Sequence, residues 1–390
     1  MDGKKILRTK LCNMLGIEYP ICLAGMGAIP AMPRTSKYYT GTPPELVAAV
    51  SNAGGFGVFG AAVVPPDEIQ EAAAKIRNLT SKPFGIDLMF PAVVDAKTQE
   101  EINKAKDSLP VTQKEFYIFA EKMRKKHGFP KAKAPDYFYN TWDPAYVRKQ
   151  FDAALEVKDA VAICSGVGSS KWAVDMIHKA GKLSISLVGN THQARRVAEM
   201  GTDIVVAQGT EAGGHTGRIG TLSLVPQVVD CVSPIPVVAA GGIGDGRTLA
   251  AALALGAIGA WIGTAFLVAS ESSFTKEQKE RLLAADEERA RITTMFTGKT
   301  CRAQRNPIAE EWEKAGFKSL GMPLQSFLVA DMIASVEKGD KPELFFLPSG
   351  QIAGMLKEVR PAKEIVDDVV KGAIEILSGK TLNQITAGEI

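Results

Sequence analysis

The sequence predicts an α/β chain folded as a (β/α)8 barrel, with a long insertion after the third strand and a helical appendage after the eighth. Three observations carry this. Eight short, continuously apolar runs recur along the chain, helical patterns separate most of them, and glycine-rich or polar loops follow the runs. Strands that are apolar on every residue are buried on both faces, as parallel strands covered by helices are. A chain of 390 residues is long enough for one barrel of about 250 residues plus an added segment. A doubly wound sheet would want GxGxxG after its first strand, and none is there.

The expected strands are Ile21–Ala24, Gly57–Phe59, Phe84–Leu88, Ala160–Ile163, Ser184–Leu187, Ile204–Ala207, Pro236–Ala239 and Ala260–Ile262. Helical patterns between them include Pro44–Ala53, Pro66–Leu79, Lys171–Ala180, Thr191–Met200 and Gly246–Leu255. The insertion, 95–150, is rich in Lys and Glu and contains Tyr137, Phe138, Tyr139 and Trp142. A crossover of that length must carry helices of its own and could cap the C-terminal mouth of the barrel as a lid. Residues 270–348 read as the appendage, with helices Lys276–Ile292, Ile308–Gly316 and Leu324–Glu337. The chain then returns through Ser349–Met355 to a closing helix, Ala362–Leu377, so that the barrel domain takes 1–269 and 349–390. The appendage's amphipathic helices could pair two copies into a homodimer or simply cover the barrel.

Composition narrows the function. With 46% hydrophobic and 23% charged residues, collagen-like, disordered and coiled-coil classes are excluded. A net charge of +3, from 46 basic and 43 acidic residues, is too balanced to imply nucleic acid or an anionic membrane as partner. The uncharged stretch Thr248–Ser270 is long enough to span a bilayer. Its Gly256, Gly259 and Gly263 break it into a helix, a turn and a short buried strand instead. Five cysteines with no CxxC pair read as free thiols of a reducing compartment. No apolar leader segment follows Met1, so a cytoplasmic location is expected. The four histidines form no HExxH or Cys/His cluster, so no metal site is expected.

In such barrels the active site is built from the loops after the strands. Ala24-Gly25-Met26-Gly27 follows the first, where glycine lets a ligand approach the backbone. Asp87 stands at the end of the third strand, as a residue of the barrel mouth or as a helix N-cap. After the sixth comes Gln208-Gly209-Thr210-Glu211-Ala212-Gly213-Gly214-His215-Thr216-Gly217. His215 is the histidine set at a strand's C-terminal end, suited to proton transfer or hydrogen bonding near neutral pH. Gly241-Gly242-Ile243-Gly244 and Gly263-Thr264 follow the seventh and eighth strands, where these barrels hold phosphate on backbone amides. A phosphate handle and a poised histidine, without a Walker lysine or a carboxylate cluster, point to a phosphate-bearing cofactor or substrate.

These motifs, in this order, resemble the nitronate monooxygenase (2-nitropropane dioxygenase) family of FMN-dependent TIM barrels. The family also contains FMN-dependent enoyl-acyl-carrier-protein reductases. The resemblance covers most of Leu11–Ala269 and also Ser349–Met355, and is most specific over 207–217 and 236–267, including Trp261-Ile262-Gly263-Thr264. It implies FMN across the barrel mouth, with Ala24, Gly25 and Met26 near the ring and Gln208 on its polar edge. Gly213, Gly241, Gly242, Gly263 and Thr264 would hold the phosphate. Gly214, Trp261, Ile262 and Gln351 would complete the cofactor site, and His215 would be the catalytic residue on the substrate side. Asp87 stands where the family often has Asn: an ionised carboxylate there would disfavour an anionic reduced ring, so either Asp87 is protonated or turned away, or the flavin potential is shifted downward. Residues 95–150 and the loop 29–43 exceed the compact family pattern and could reshape the substrate pocket.

Two activities follow from the resemblance. The first is oxidation of an alkyl nitronate by O2 to a carbonyl compound and nitrite, with His215 binding the anion or taking the α-proton of a neutral nitroalkane. The second is NAD(P)H-dependent reduction of an enoyl thioester, which an apolar tunnel lined by insertion residues would favour. An IMP-dehydrogenase-like reaction needs a nucleophilic cysteine in the loop after the sixth strand, and the nearest here are Cys164 and Cys231. A barrel that binds flavin or a phosphorylated ligand without turnover is a further reading, against which the placement of His215 argues.

Overall fold

The computed structural model of the chain describes residues 7–27, 38, 40–89, 96–140, 142–166 and 170–379. All eight apolar runs become parallel barrel strands. They are β1 (Ile21–Leu23), β2 (Gly57–Gly60), β3 (Phe84–Leu88), β4 (Ala160–Ser165), β5 (Leu183–Val188) and β6 (Ile204–Gln208). After a short strand outside the barrel, β7 (Gly214–His215), come β8 (Val237–Ala240) and β9 (Ala260–Ile262). Around the barrel they run β1-β9-β8-β6-β5-β4-β3-β2. One parallel bridge, Cys22 with Phe56, closes the circle. There the Leu23 amide donates to the Phe56 carbonyl at 2.9 Å, and the Phe56 amide to the Ile21 carbonyl at 2.8 Å.

Strand residues alternate between two cores. Cys22, Val58, Cys164, Val206, Val238 and Trp261 fill the barrel interior together with Leu11 and Leu15 of helix α1 (Lys10–Leu15). The intervening residues face the surrounding helices, as Ile21, Ile163, Ala239 and Ile262 do. Those helices begin with α2 (Pro44–Asn52) and α3 (Pro66–Leu79). Both start with proline, whose missing N–H would have had no partner in the first turn.

The crossover from β3 to β4 carries α4 (Ala96–Thr112), α5 (Lys114–His127), α6 (Asp136–Asn140) and α7 (Pro144–Glu156). Next come α8 (Lys171–Lys179), α9 (Thr191–Glu199), α10 (Thr221–Val232) and α11 (Gly246–Ala254). Asn190 caps α9, and Asp245 with Thr248 forms a reciprocal capping box on α11. The run Thr248–Ser270 resolves into most of α11, β9 and the one-turn α12 (Thr264–Leu267). No helix among the described residues is long and apolar enough to cross a membrane.

The segment after β9 departs from an all-helical appendage. The helix expected over Lys276–Ile292 is α13 (Lys276–Leu283) and stops there. Ala290–Thr293 is instead strand β10, antiparallel to β11 (Cys301–Gln304), and β11 pairs with β7. The charged, helix-like pattern runs past Leu283, but pairing with a strand brought from elsewhere decides the backbone. Beyond lie α14 (Pro307–Lys314), α15 (Leu324–Lys338) and the closing α16 (Ala362–Leu377).

Insertion and appendage share one hydrophobic core, separate from the barrel's two. Phe116, Phe119 and Met123 of α5 pack with Trp312, Phe327, Ile333 and Phe346. The Phe296 and Phe346 rings stack with centroids 3.8 Å apart. Together these two segments roof the C-terminal mouth.

Candidate active site

Under that roof lies a cavity of about 280 Å³. Its floor is the barrel mouth: Ala24, Gly25 and Met26 after β1, Asp87 in β3, Gln208 ending β6, and Trp261 in β9. Gly213, Gly214 and His215 form one wall, and Gly241, Gly242, Gly263 and Thr264 another. Thirteen of the fifteen expected site residues therefore meet in one place. The other two lie outside the lining. Ile262 faces the outer core, because alternate strand residues point to opposite sides. The Gln351 side chain is exposed, and its amide donates to the Glu211 carbonyl at 2.9 Å.

His215 is held rigidly. Its strand adds to the edge of the small sheet, Cys301 opposite His215 and Arg302 opposite Gly214. Buried Arg302 donates to the Thr210 carbonyl at 3.0 Å and the Ala290 carbonyl at 2.8 Å, pinning the loop from behind. The ring nitrogen Nε2 lies 2.8 Å from Thr297 Oγ1. Burial, reinforced by the Lys299 charge, lowers the imidazole to about 4. The ring is therefore neutral at physiological pH, with one nitrogen to accept and one to donate. Gln208 donates from Nε2 to the His215 carbonyl at 2.7 Å, which leaves its side-chain oxygen to accept from a ligand.

Asp87 is buried at 8% exposure. Its carboxyl packs directly on Gly25, where a Cβ would meet Asp87 Oδ2 at 2.5 Å. Burial raises it to about 8, opposed in part by the Gly166 amide. Oδ1 is enclosed with no hydrogen-bond partner. A neutral carboxylic acid at the cavity wall, with an unsatisfied oxygen, is a group waiting for a ligand. It is uncharged at pH 7, so the departure from Asn keeps a hydrogen-bond donor there.

The phosphate-loop expectation meets a matching backbone. Gly241 and Gly242 adopt φ of +90° and +72°, which a residue with a Cβ reaches only under strain. The amides of Gly242 and Ile243 have no hydrogen-bond acceptor among the described residues. Gly263 faces Ala24 and Met26, whose atoms a Cβ there would meet at 3.4 Å. Thr264 Oγ1 accepts from the Gly350 amide at 2.8 Å and keeps its own hydrogen to donate. A glycine cradle with free amides, beside an orphaned acid, fits a flavin phosphate at one end and a flavin ring at the other.

The roof supplies lining that the loop-by-loop sequence reading left out: Phe296, Thr297, Met322, Ser326 and Ile333. Phe138 and Trp142, from the aromatic cluster expected to cap the mouth, do line the cavity. Tyr139 packs away from it on Phe327, with centroids 5.6 Å apart. The Tyr137 side chain, and the loop 29–43 apart from Tyr38 and 40–43, lie outside the described residues. The sequence places Glu211 in the loop without a role; its carboxylate accepts from the Thr221 amide at 2.9 Å and hydroxyl at 2.8 Å and so fixes the loop. The five cysteines are free thiols, Cys231 half-buried and the rest buried.

A model of the nitronate monooxygenase family matches residues 8–372. A Mycobacterium tuberculosis protein named as a monooxygenase is 35% identical, over 95% of this chain and 97% of its own. A Staphylococcus aureus protein named as a nitronate monooxygenase is 31% identical, over 96% and 99%. Among solved structures, nitroalkane oxidase from Streptomyces ansochromogenes superposes with a TM-score of 0.73 at 28% identity, covering 95% of this chain and 99% of that one. FabK from Thermotoga maritima superposes with a TM-score of 0.72 at 28% identity, covering 97% and 100%.

Proposed function

Because this chain belongs to the nitronate monooxygenase family and is an oxidoreductase, we propose that it is an FMN-dependent enzyme that oxidises alkyl nitronates with O2 to carbonyl compounds and nitrite. The observation that carries this reading is a neutral, fully positioned His215 facing a cavity whose other end is a glycine turn with free backbone amides. Gly241, Gly242, Ile243, Gly263 and Thr264 would hold the FMN phosphate. Ala24, Gly25, Met26, Asp87 and Gln208 would surround the ring. When bound there, FMN would supply the electron transfer between the substrate carbon and O2.

The chain's own residues bind and orient. A nitronate is already an anion, so neutral His215 stabilises it best as a hydrogen-bond donor to a nitro oxygen. With a neutral nitroalkane, the unprotonated ring nitrogen takes the α-proton instead. Protonated Asp87 donates into the site without adding negative charge. The roof covers one side of the site with apolar side chains, which lowers the local dielectric and strengthens each of these interactions.

One observation favours a second reading. The roof side of the cavity is apolar and aromatic, from Phe138, Trp142, Phe296, Met322 and Ile333, more than a short nitronate needs. Together with the likeness to FabK, this supports an enoyl-thioester reductase drawing hydride from NAD(P)H. The test is anaerobic reduction of the purified protein's visible flavin band. Bleaching by a nitronate but not by NADH or NADPH supports the monooxygenase, and rapid bleaching by a nicotinamide supports the reductase. A colourless protein that takes up no FMN would overturn both.

A further inference from the structure

The polar groups lining the cavity fall into two sets. Thr264 and Thr297 are engaged, with the Gly350 amide and with His215. Trp142 and Ser326 are not. Trp142 Nε1 and Ser326 Oγ are enclosed with no hydrogen-bond partner, although both residues line the cavity. Ser326 is 4% exposed. It stands in α15, yet its hydroxyl makes no bond to the backbone one turn back, which a helical serine can use. A buried indole N–H likewise ordinarily finds an acceptor, and an enclosed donor without one is a cost to the fold. Eight side-chain atoms among the described residues are enclosed in this way. Three of them, with Asp87 Oδ1, belong to residues lining this one cavity. That concentration points to an occupant rather than to imperfect packing.

The charges of the lining say what kind of occupant. Asp87, Glu211 and His215 line the cavity, and among the described residues no lysine or arginine does. An anionic tail would lie among carboxyl groups and apolar side chains with no cation to pair, and burying an unpaired charge is costly. An uncharged acceptor avoids that cost and meets two donors: an indole N–H only donates, and a hydroxyl donates as well as accepts. The serine hydroxyl turns about a single bond, and Trp142 stands in the turn before α7, so both can adjust to an occupant. Around them Phe138, Phe296, Met322 and Ile333 suit carbon. We propose that Trp142 and Ser326 determine specificity by receiving an uncharged acceptor oxygen on the tail of the nitro substrate, and that the same wall rejects carboxylated tails. This rests on the reading of the cavity as the site of nitronate oxidation, and it adds the chemistry of the tail.

Calorimetric titration of the purified, oxidised holoprotein at neutral pH tests this with three tertiary nitro compounds. They are methyl 4-methyl-4-nitropentanoate, its free acid, and the hydrocarbon analogue 2-methyl-2-nitroheptane. None has an α-hydrogen, so each binds without turnover. A wall without donors would favour the hydrocarbon, because the ester carbonyl loses its water on entry. Here the ester should bind about tenfold or more tightly than either of the others. The double variant S326A/W142F should abolish that preference and bind the hydrocarbon at least as tightly as wild type does, because its wall is more apolar. Ser326→Ala alone removes an unpaired hydroxyl at no cost to folding and should lose about threefold or more of the preference, which keeps the test intact if the double variant does not fold. Equal binding of ester and hydrocarbon, no binding of any of the three, or a preference that survives in the variants overturns the proposal. So does tighter binding of the acid, which would turn the tail toward Lys299 in the adjoining cavity. A protein that fails this test yet has its flavin band bleached by a nitronate keeps the redox reading and loses only the tail.

Discussion

His215 Nε2 lies 2.8 Å from Thr297 Oγ1, so the histidine of a barrel loop is oriented by a residue contributed after the last barrel strand. The ladder to Cys301 fixes the His215 backbone, and the Thr297 hydroxyl fixes the ring. Thr297→Val keeps the shape and removes the hydrogen bond. Losing one neutral hydrogen bond of about 1 kcal/mol should lower kcat by roughly fivefold to tenfold, with flavin content unchanged and Thr297→Ser restoring most of the rate. A T297V enzyme with wild-type kcat would detach this contact from turnover.

On the proposed function, His215→Ala should leave the protein yellow and impair turnover, because the ring would face the substrate and lies away from the Gly241–Gly242 turn proposed to hold the phosphate. The pH profile is more specific. Burial holds His215 at about 4, so its neutral form persists far below the usual histidine range. The acid limb of kcat/KM should therefore fall near pH 4, and a limb near pH 6.5 that disappears in H215A would contradict the burial argument.

Asp87 makes the fold pH-sensitive in the opposite direction from an ion-paired acid. Its folded carboxyl titrates near 8, against an ordinary 3.8. The folded state therefore binds this proton more tightly than the unfolded chain. That contribution is complete below about pH 4, declines as pH rises, and is gone above about pH 8. Asp87→Asn cannot ionise. From pH 5 to pH 9, wild type should lose stability relative to D87N by on the order of a few kcal/mol, measured by denaturant unfolding. Parallel curves for the two proteins would show that Asp87 is not buried as an acid.

Gly241→Ala tests the cradle. The position needs φ of +90°, and a Cβ would stand 2.8 Å from the Gly209 carbonyl oxygen. Strain and clash together should cost about 2 kcal/mol or more and reduce bound flavin per chain, read from the visible-to-ultraviolet absorbance ratio. Full flavin occupancy in G241A would place the phosphate elsewhere.

The barrel was legible because its signal is local. A run such as Ile204–Ala207 is short, rich in β-branched residues and apolar throughout, which reads as a strand covered on both sides. The glycines at 241 and 242 mark a turn whose positive φ few other residues adopt. The small sheet was not legible, because Ala290–Thr293 becomes a strand only by pairing with Cys301–Gln304, itself extended by Gly214–His215. A two-residue strand inside a glycine loop has no pattern to read. The roof lining was half legible. Phe138 and Trp142 stood out as aromatics in a polar insertion, whereas Phe296 and Ile333 belong to segments whose apolar residues serve equally well as covering for a barrel.

The roof's single core has a kinetic consequence. It joins segments far apart in the chain: the Ala132 amide donates to Ser335 Oγ at 2.9 Å across a separation of 203 residues. Closing so large a loop is entropically unfavourable until the intervening strands have paired and drawn its ends together. The barrel should therefore gain protection from hydrogen exchange early in refolding and the roof late. The cavity, with His215 fixed through Thr297, would be the last part of the molecule to become competent.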